Sequence, residues 1–242
     1  MAKTYEALMK AEEEAQKRQV DIRGPSSNDG GLLSEGHGLT SEEYYRLKLN
    51  ILRMGKEGKI KALLFSSPTK GEGASTVLAD FGIFLAGQGE KVLLVDANLQ
   101  SPSLHQRFHL EMENGLADLM LGKAKLPEVV KKTTLENLWV IPSGTAHSNP
   151  LFFKSLESHH MHTMREGVDW LLFDAPPINH FDEALALLEK VDGVVMVLQA
   201  EKTRWEVAQS AKQRLEDSGG KILGVVLNKR KFYIPSWLYK TL

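Results

Sequence analysis

The sequence contains no cysteine, which excludes disulfide cross-links and zinc–thiolate sites and suits a reducing compartment. It has no apolar run near the ~20 residues that a membrane-spanning helix needs, and its polar N-terminus does not resemble a signal peptide. Neither charge sign predominates, since the formal net charge is -1, and this balance argues against a general polyanion-binding protein. The 242 residues suffice for one sizeable α/β domain with a short appendage.

The first 39 residues differ in composition from the rest of the chain. Residues 1–20 are rich in alanine, glutamate, lysine and glutamine, which predicts a helix. Its thin apolar stripe is compatible with a solvated helix or with a helix that docks on a partner. Residues 21–39 contain Gly24-Pro25 and Gly30-Gly31, which is typical of a flexible linker. We therefore predict a helix at 1–20, a linker at 21–39 and one domain at 40–242 that ends in a short tail.

The domain is predicted to open with an amphipathic helix that Thr40 or Ser41 caps. One apolar stripe comprises Tyr44, Leu47, Ile51 and Met54, and a second comprises Tyr45, Leu49 and Leu52. Two stripes indicate either one broad core face or a helix that contacts both its own core and a neighbour.

Short apolar segments then alternate with helical patterns. The predicted strands are Ile60–Phe65, Val92–Val95, Leu138–Ile141, Trp170–Phe173, Val194–Leu198 and Ile222–Leu227, and the predicted helices lie near 76–88, 115–121, 150–166, 181–190 and 203–217. This alternation predicts a doubly wound, mainly parallel α/β sheet with helices on both faces. Its ligand is expected at the carboxyl ends of the strands.

The first strand leads into a glycine-rich stretch, Ser66-Ser67-Pro68-Thr69-Lys70-Gly71-Glu72-Gly73-Ala74-Ser75-Thr76. A strand, a glycine loop and a helix in this order form the phosphate-binding loop of P-loop NTPases. Ser75 is placed to hold Mg²⁺ and Thr76 to contact the first phosphate. The pattern requires a lysine directly before Ser75, where this sequence has Ala74. Lys70 is the nearest substitute, although a solvated loop lysine is the simpler interpretation.

Two aspartates follow buried strands, Asp96 after the second and Asp174 after the fourth. Either one alone is weak evidence, because aspartates at strand ends often cap a turn. With the glycine loop they indicate a P-loop NTPase, in which such aspartates bind Mg²⁺ or orient a nucleophile.

Together these segments resemble the bacterial tyrosine kinase family, P-loop kinases that control capsule and exopolysaccharide export. The resemblance covers roughly residues 40 to 230. Beyond the glycine loop it rests on Val92-Leu93-Leu94-Val95-Asp96-Ala97, Pro102-Ser103-Leu104-His105, Gly115-Leu116-Ala117-Asp118-Leu119, Leu138-Trp139-Val140-Ile141-Pro142-Ser143-Gly144, Asp174-Ala175-Pro176-Pro177 and Gly224-Val225-Val226-Leu227-Asn228.

The resemblance implies ATP and Mg²⁺ as cofactors and assigns roles to the matching residues. Asp96 and Asp174 match the family's catalytic and metal-binding aspartates, with Ser75 and Asp174 on the metal. Ala74 replaces the phosphate-binding lysine, Asn98 a second aspartate and Gln100 an arginine. The implied nucleotide-binding residues are Lys70, Gly71, Glu72, Gly73, Ala74, Ser75, Thr76 and Asn228, the last matching an asparagine that recognises adenine in similar folds.

The resemblance also implies assembly and partners. Glu43 and Arg46 match the family's oligomerisation motif, in which Leu49 stands where a second arginine belongs. The tyrosine-rich tail of the family is reduced to Tyr233 and Tyr239, the candidate autophosphorylation sites. The implied partners are a membrane polysaccharide co-polymerase or adaptor and a second copy or an active kinase relative. The implied location is cytoplasmic, at the inner face of the membrane. Nucleic acid is not among the implied partners.

The replacements at Ala74 and Asn98 predict a pseudokinase, a regulatory subunit of polysaccharide synthesis or export, because phosphoryl transfer depends on charge around the γ-phosphate. Two alternatives remain open at the sequence level. One is an active autokinase that uses Lys70. The other is a partitioning-type ATPase whose dimerisation is switched by nucleotide.

Overall fold

The structure is a computed structural model that describes residues 39–55, 60–145, 153, 156 and 158–231. The predicted helix 1–20, nearly all of the predicted linker, Tyr233 and Tyr239 lie outside the described residues. The described helices are α1 Ser41–Met54, α2 Ala74–Gly87, α3 Leu104–Arg107, α4 Leu116–Met120, α5 Leu126–Val129, α6 Ser158–Gly167, α7 Glu183–Ala186 and α8 Trp205–Asp217, with a 3-10 turn at Leu188–Lys190. The described strands are β1 Ala62–Ser66, β2 Val92–Asp96, β3 Lys131–Lys132, β4 Leu138–Ile141, β5 Trp170–Asp174, β6 Gly193–Gln199 and β7 Ile222–Asn228.

The strands form one sheet in the order β3-β4-β2-β5-β1-β6-β7. All neighbouring strands are parallel except β3 and β4, which pair antiparallel at one edge. The carboxyl ends of β1, β2 and β5 therefore meet at one edge of the sheet, and Asp96 lies directly opposite Asp174 in the register of β2 and β5. The predicted doubly wound, mainly parallel sheet is confirmed.

The central strands are buried along their whole length, as expected when helices cover both faces of a parallel sheet. Helix α2 packs over the sheet and buries most of its residues, among them Val77, Leu78, Phe81 and Leu85. A helix that is apolar on so many sides belongs in a protein interior. Its burial fixes the position of the glycine loop that precedes it.

Helix α1 begins with a capping box at Thr40, whose hydroxyl accepts from the Glu43 N–H at 3.3 Å while the Glu43 carboxylate accepts from the Thr40 N–H at 2.8 Å. The first predicted stripe faces the core, since Tyr44, Leu47 and Ile51 are buried, although Met54 is exposed. The Tyr44 ring packs against Phe81 and Phe84 of α2.

The structure differs from the predicted elements at a few places. The helix predicted at 181–190 is divided into α7 and the 3-10 turn, and the helix predicted at 150–166 is described continuously only from Ser158. Strand β3 and the short helices α3 and α5 were not predicted. No helix among the described residues is long and apolar enough to cross a membrane.

Candidate functional site

The loop between β1 and α2 has the geometry of a phosphate-binding loop. Gly71 and Gly73 adopt left-handed backbone conformations, with φ of +87° and +94°. Such conformations are costly for residues with a side chain. Helix α2 begins at Ala74 with Gly73 as its N-cap, so the N–H groups of its first turn point toward the loop. The predicted glycine loop is thus formed at the carboxyl end of β1.

The segment that follows β5 holds the first half of the loop. The Ser66 hydroxyl donates to the Pro176 carbonyl at 2.7 Å, and the Ile178 N–H donates to the Ser67 carbonyl at 2.9 Å. The Asn179 N–H donates to the Pro68 carbonyl at 3.2 Å. The sequence Asp174-Ala175-Pro176-Pro177 therefore positions the loop in addition to carrying an aspartate.

The residues after β7 hold the second half of the loop. The Asn228 side-chain amide donates to the Glu72 carbonyl at 2.9 Å, and the Lys229 ammonium donates to the Gly71 carbonyl at 2.7 Å. Asn228 is only 5% exposed, and its side-chain oxygen accepts from the Lys229 N–H at 2.8 Å. The sequence led us to expect that Asn228 recognises adenine. In this structure its side chain instead bonds the loop.

Glu72 connects the loop to the turn between β6 and α8. One carboxylate oxygen accepts from the hydroxyls of Thr69 at 2.7 Å and Thr203 at 3.0 Å. The other oxygen is buried and has no hydrogen-bond partner among the described residues. A cleft of about 310 Å³ adjoins it, lined by residues that include Lys70, Thr203 and Arg204.

Asp96 and Asp174 form a pair of buried carboxyls on neighbouring strands. Burial raises the pKa of Asp96 to about 6, while hydrogen bonds from the backbone of Leu104, Ser103 and Asn98 oppose the rise. Burial also raises the pKa of Asp174 well above its ordinary value, the adjacent charge of Asp96 adds to this, and the Ser75 hydroxyl opposes it. Each carboxyl therefore keeps its proton to a higher pH than an exposed aspartate does, and a nearby cation would lower both pKa values.

The two aspartates differ in how their oxygens are used. Asp96 accepts from the N–H groups of Ser103 and Leu104, both at 3.0 Å, and so fixes the start of α3. Both oxygens of Asp174 are fully buried and lack a hydrogen-bond partner at normal bonding distance among the described residues. Buried polar atoms without partners are uncommon, and carboxylate oxygens in that position are suited to bind a cation. Asp174 is therefore the stronger candidate ligand for a cation.

Asn98 and Gln100, which stand after β2 where the family has an aspartate and an arginine, make local contacts. The side-chain oxygen of Asn98 accepts from the Ser101 N–H at 3.2 Å, as in an Asx turn. The Gln100 amide donates to the Glu183 carboxylate at 2.9 Å. Both contacts organise the segment after β2 without placing charge at the glycine loop.

The other predicted loop residues lie where the sequence placed them. Ser75 and Thr76 are half-buried in the first turn of α2, and Ala74 is buried beside them. Lys70 is exposed and makes no hydrogen bond or ion pair within the described part of the chain. Its predicted alternative role as a substitute lysine gains no support from these contacts.

The candidate oligomerisation residues lie on α1, remote from the loop in sequence. Glu43 belongs to the capping box and lies 3.6 Å from the Arg230 guanidinium. Arg46 pairs on the surface with Glu42, and Leu49 is half-buried. The second apolar stripe is open, because Tyr45 is 50% and Leu52 is 45% exposed. This arrangement supports a helix with a core face and a second apolar surface.

These residues fit magnesium and a nucleotide. The unpartnered Asp174 carboxylate and the nearby Ser75 hydroxyl are oxygen ligands of the kind that Mg²⁺ prefers. The loop offers backbone N–H groups to phosphate oxygens. Sequence reasoning missed Thr203 and Lys229 at this site; the position of Lys229 directly after Asn228 was the available signal.

Comparisons with known proteins agree with this geometry. A family model described as "ParA: NUBPL iron-transfer P-loop NTPase" matches residues 59–240. The tyrosine-protein kinase YwqD of Bacillus subtilis (strain 168) is 34% identical over 203 residues, which are 82% of this chain and 85% of that protein. The crystal structure of the chimerical protein CapA2B2 superposes with a TM-score of 0.72 and 26% identity, covering 79% of this chain and 85% of that one.

The kinase domain of the Escherichia coli tyrosine kinase ETK superposes with a TM-score of 0.71, covering 81% of this chain and 79% of that domain. Its 24% identity makes it evidence for the fold alone. P-loop folds of this kind bind nucleotide with Mg²⁺ in general. The loop, the paired carboxyls and the identity to YwqD together place this chain in the bacterial tyrosine-protein kinase family.

Proposed function

We propose that this chain is a catalytically impaired, nucleotide-binding regulatory subunit of its family, which serves the synthesis or export of capsular or extracellular polysaccharide. The observation that carries the proposal is the combination of a complete glycine loop with Ala74 at the position of the phosphate-binding lysine. The loop keeps its backbone N–H donors, and the Asp174 carboxylate beside it has no partner at normal bonding distance among the described residues. The charge that transfer requires at the terminal phosphate is missing.

The size of this loss supports impaired transfer. Removing one electrostatic contact to a transition state commonly costs ~3 kcal/mol, or about 10²–10³ in rate. Asn98, bonded to the Ser101 N–H, adds a second loss, because an amide brings no charge to the metal side of the site. Nucleotide binding is retained despite these replacements, because backbone N–H groups supply much of the binding to phosphate.

Assembly is the second part of the proposal. The open stripe of α1 offers an apolar surface to another copy or to an active relative. The partner that brings the chain to the inner face of the membrane is proposed to be a polysaccharide co-polymerase or adaptor. The active-autokinase alternative becomes an outcome of the test below. The partitioning-type alternative is less well supported, because YwqD is named a tyrosine-protein kinase.

The test combines an activity assay with a nucleotide titration. Purified protein incubated with ATP and Mg²⁺ is expected to bind nucleotide without acquiring phosphotyrosine at Tyr233 or Tyr239. Phosphotyrosine that is lost in Asp96→Ala would establish the active autokinase instead. Absence of nucleotide binding in the unaltered protein would refute the nucleotide-binding part of the proposal.

Restoring the lysine provides a matched gain-of-function variant. Ala74→Lys is expected to tighten ATP binding about tenfold or more, because it adds a charge beside phosphates that the loop already holds. Transfer is expected to stay low, since Asn98 is unchanged. An unaltered affinity in Ala74→Lys would show that the loop does not receive phosphate as proposed.

A further inference from the structure

A lysine from the end of the sheet lies against the phosphate loop, although residue 74 is alanine. Besides bonding the Gly71 carbonyl, Lys229 brings its Cε within 3.7 Å of the position that a Cβ on Gly73 would occupy. Its stem therefore crosses the loop from Gly73 to Gly71. Its ammonium, with three donors, keeps two N–H groups beyond the one that bonds Gly71.

The backbone at Lys229 is held in a conformation that directs the side chain back over the loop. Lys229 has a φ of +55°, a left-handed conformation that is uncommon outside glycine. The bond from its N–H to the buried Asn228 side chain fixes this turn. Such a conformation costs about 1 kcal/mol and persists only where surrounding contacts enforce it, often at functional sites.

Two other lysines near the loop lack this contact. Lys70 and Lys231 are exposed, and neither makes a hydrogen bond or ion pair within the described residues. Arg230 points to Glu43 on α1. Of the three lysines, Lys229 is the one with a bond to the loop among the described residues.

The sheet order shows which end of a nucleotide Lys229 would meet. Strand β1, which leads into the loop, lies between β5 and β6. Asp174 ends β5 on one side, whereas Lys229 follows β7, beyond β6 on the other side. A nucleotide whose terminal phosphate and metal lie toward Asp174 therefore has its nucleoside end toward Lys229.

We infer that Lys229 supplies the positive charge of this phosphate loop and that it acts on the inner phosphates and sugar of a nucleoside di- or triphosphate. This inference rests on the proposed nucleotide binding. Because Lys229 lies away from the terminal phosphate and the metal side, it contributes equally to ADP and ATP and does so with or without Mg²⁺.

The experiment is a titration of the full chain with ADP and with ATP, each in Mg²⁺ and in EDTA. Lys229→Gln retains a side-chain N–H but has no charge, and it is expected to weaken all four affinities about tenfold. Lys229→Arg retains the charge and is expected to stay within about threefold of the unaltered protein. Lys231→Gln is a matched control that is expected to change nothing, because Lys231 is exposed and has no bond to the loop among the described residues.

Three results would overturn the inference. Unaltered affinity in Lys229→Gln would show that the charge is not used. A loss confined to ATP, or one that vanishes in EDTA, would show that Lys229 acts at the terminal phosphate or the metal. If the unaltered protein binds neither nucleotide, both the proposed nucleotide binding and the inference fail. If the unaltered protein binds nucleotide and Lys229→Gln binds it equally well, only the inference fails. Circular dichroism checks that each variant is folded, as expected for an exposed side chain.

Discussion

The two glycines of the phosphate loop are required for different reasons. Both have positive φ, but a Cβ on Gly71 would meet no atom within 4 Å, whereas a Cβ on Gly73 would lie 2.3 Å from the Asn228 amide nitrogen. The pattern of the loop predicts both glycines. It does not reveal that Asn228, distant in sequence, fills the space beside Gly73.

This difference predicts unequal effects of two alanine substitutions. Gly71→Ala is expected to cost about 1–2 kcal/mol of unfolding free energy from backbone strain alone. Gly73→Ala carries the same strain and also displaces Asn228. We therefore expect the unfolding free energy to fall by about 1 kcal/mol or more beyond the strain, and nucleotide binding to be lost. Urea unfolding and a nucleotide titration measure both variants. Equal losses in the two would mean that the Asn228 contact has no energetic role.

Among the elements, α1 shows most clearly what a sequence pattern leaves open. The predicted cap is confirmed at Thr40, because the capping box is recognisable from Thr40 and Glu43 alone. The pattern does not decide which apolar stripe is buried. That choice depends on Phe81 and Phe84 of α2, which pack against Tyr44, and on β7, where Gly224 lies close to Leu47.

The exposed stripe predicts association through α1. Tyr45→Glu combined with Arg46→Glu is expected to abolish self-association or binding to an active relative, because charges replace apolar and paired surface residues. Leu49→Glu with Arg46→Glu tests the same surface closer to the core.

Light scattering measures the oligomeric state, alone and mixed with the relative. Lys123→Glu, a charge reversal at an exposed position away from α1, is the control. Association that persists in folded double variants would contradict the prediction. Glu43 is unsuitable as a probe, because its replacement also removes the helix cap.

For the whole molecule, the buried carboxyl pair links stability to pH. In the folded protein Asp96 titrates near 6, against an ordinary value of 3.8. Between these values the folded state retains a proton that the unfolded chain releases, so the unfolding free energy falls as pH rises through this window. Asp174, whose pKa is raised further, extends the fall to higher pH.

We therefore predict that Asp174→Asn stabilises the protein in EDTA at pH 8, because the folded aspartate must either bury a charge or retain a proton at that pH, and asparagine does neither. Near pH 4 the difference is expected to vanish, since Asp174 is then neutral. Mg²⁺ is expected to stabilise the unaltered protein and not the variant. Urea unfolding across this pH range measures all three effects, and a variant less stable at pH 8 would contradict the prediction.

Much of the architecture was predictable from the sequence, because buried parallel strands are short apolar runs with glycine and polar residues at either end. Strand β3 was not, since Lys131-Lys132 has no apolar pattern and pairs only because β4 offers an edge. At the site, the loop and both aspartates were predictable as local motifs. Lys229 was not predicted at the site, because its role depends on a bond across 158 positions of sequence.

The pairing of Glu43 with Arg230 has a geometric consequence for the whole chain. It brings the beginning of α1 next to the segment that follows β7, so the first and last described residues of the domain, near 39 and 231, lie at one corner. A single partner that binds both ends of the described domain gains avidity, because its second contact forms at an effective concentration on the order of millimolar. Because Lys229 directly precedes Arg230, a nucleotide bound as we propose would lie next to the same corner.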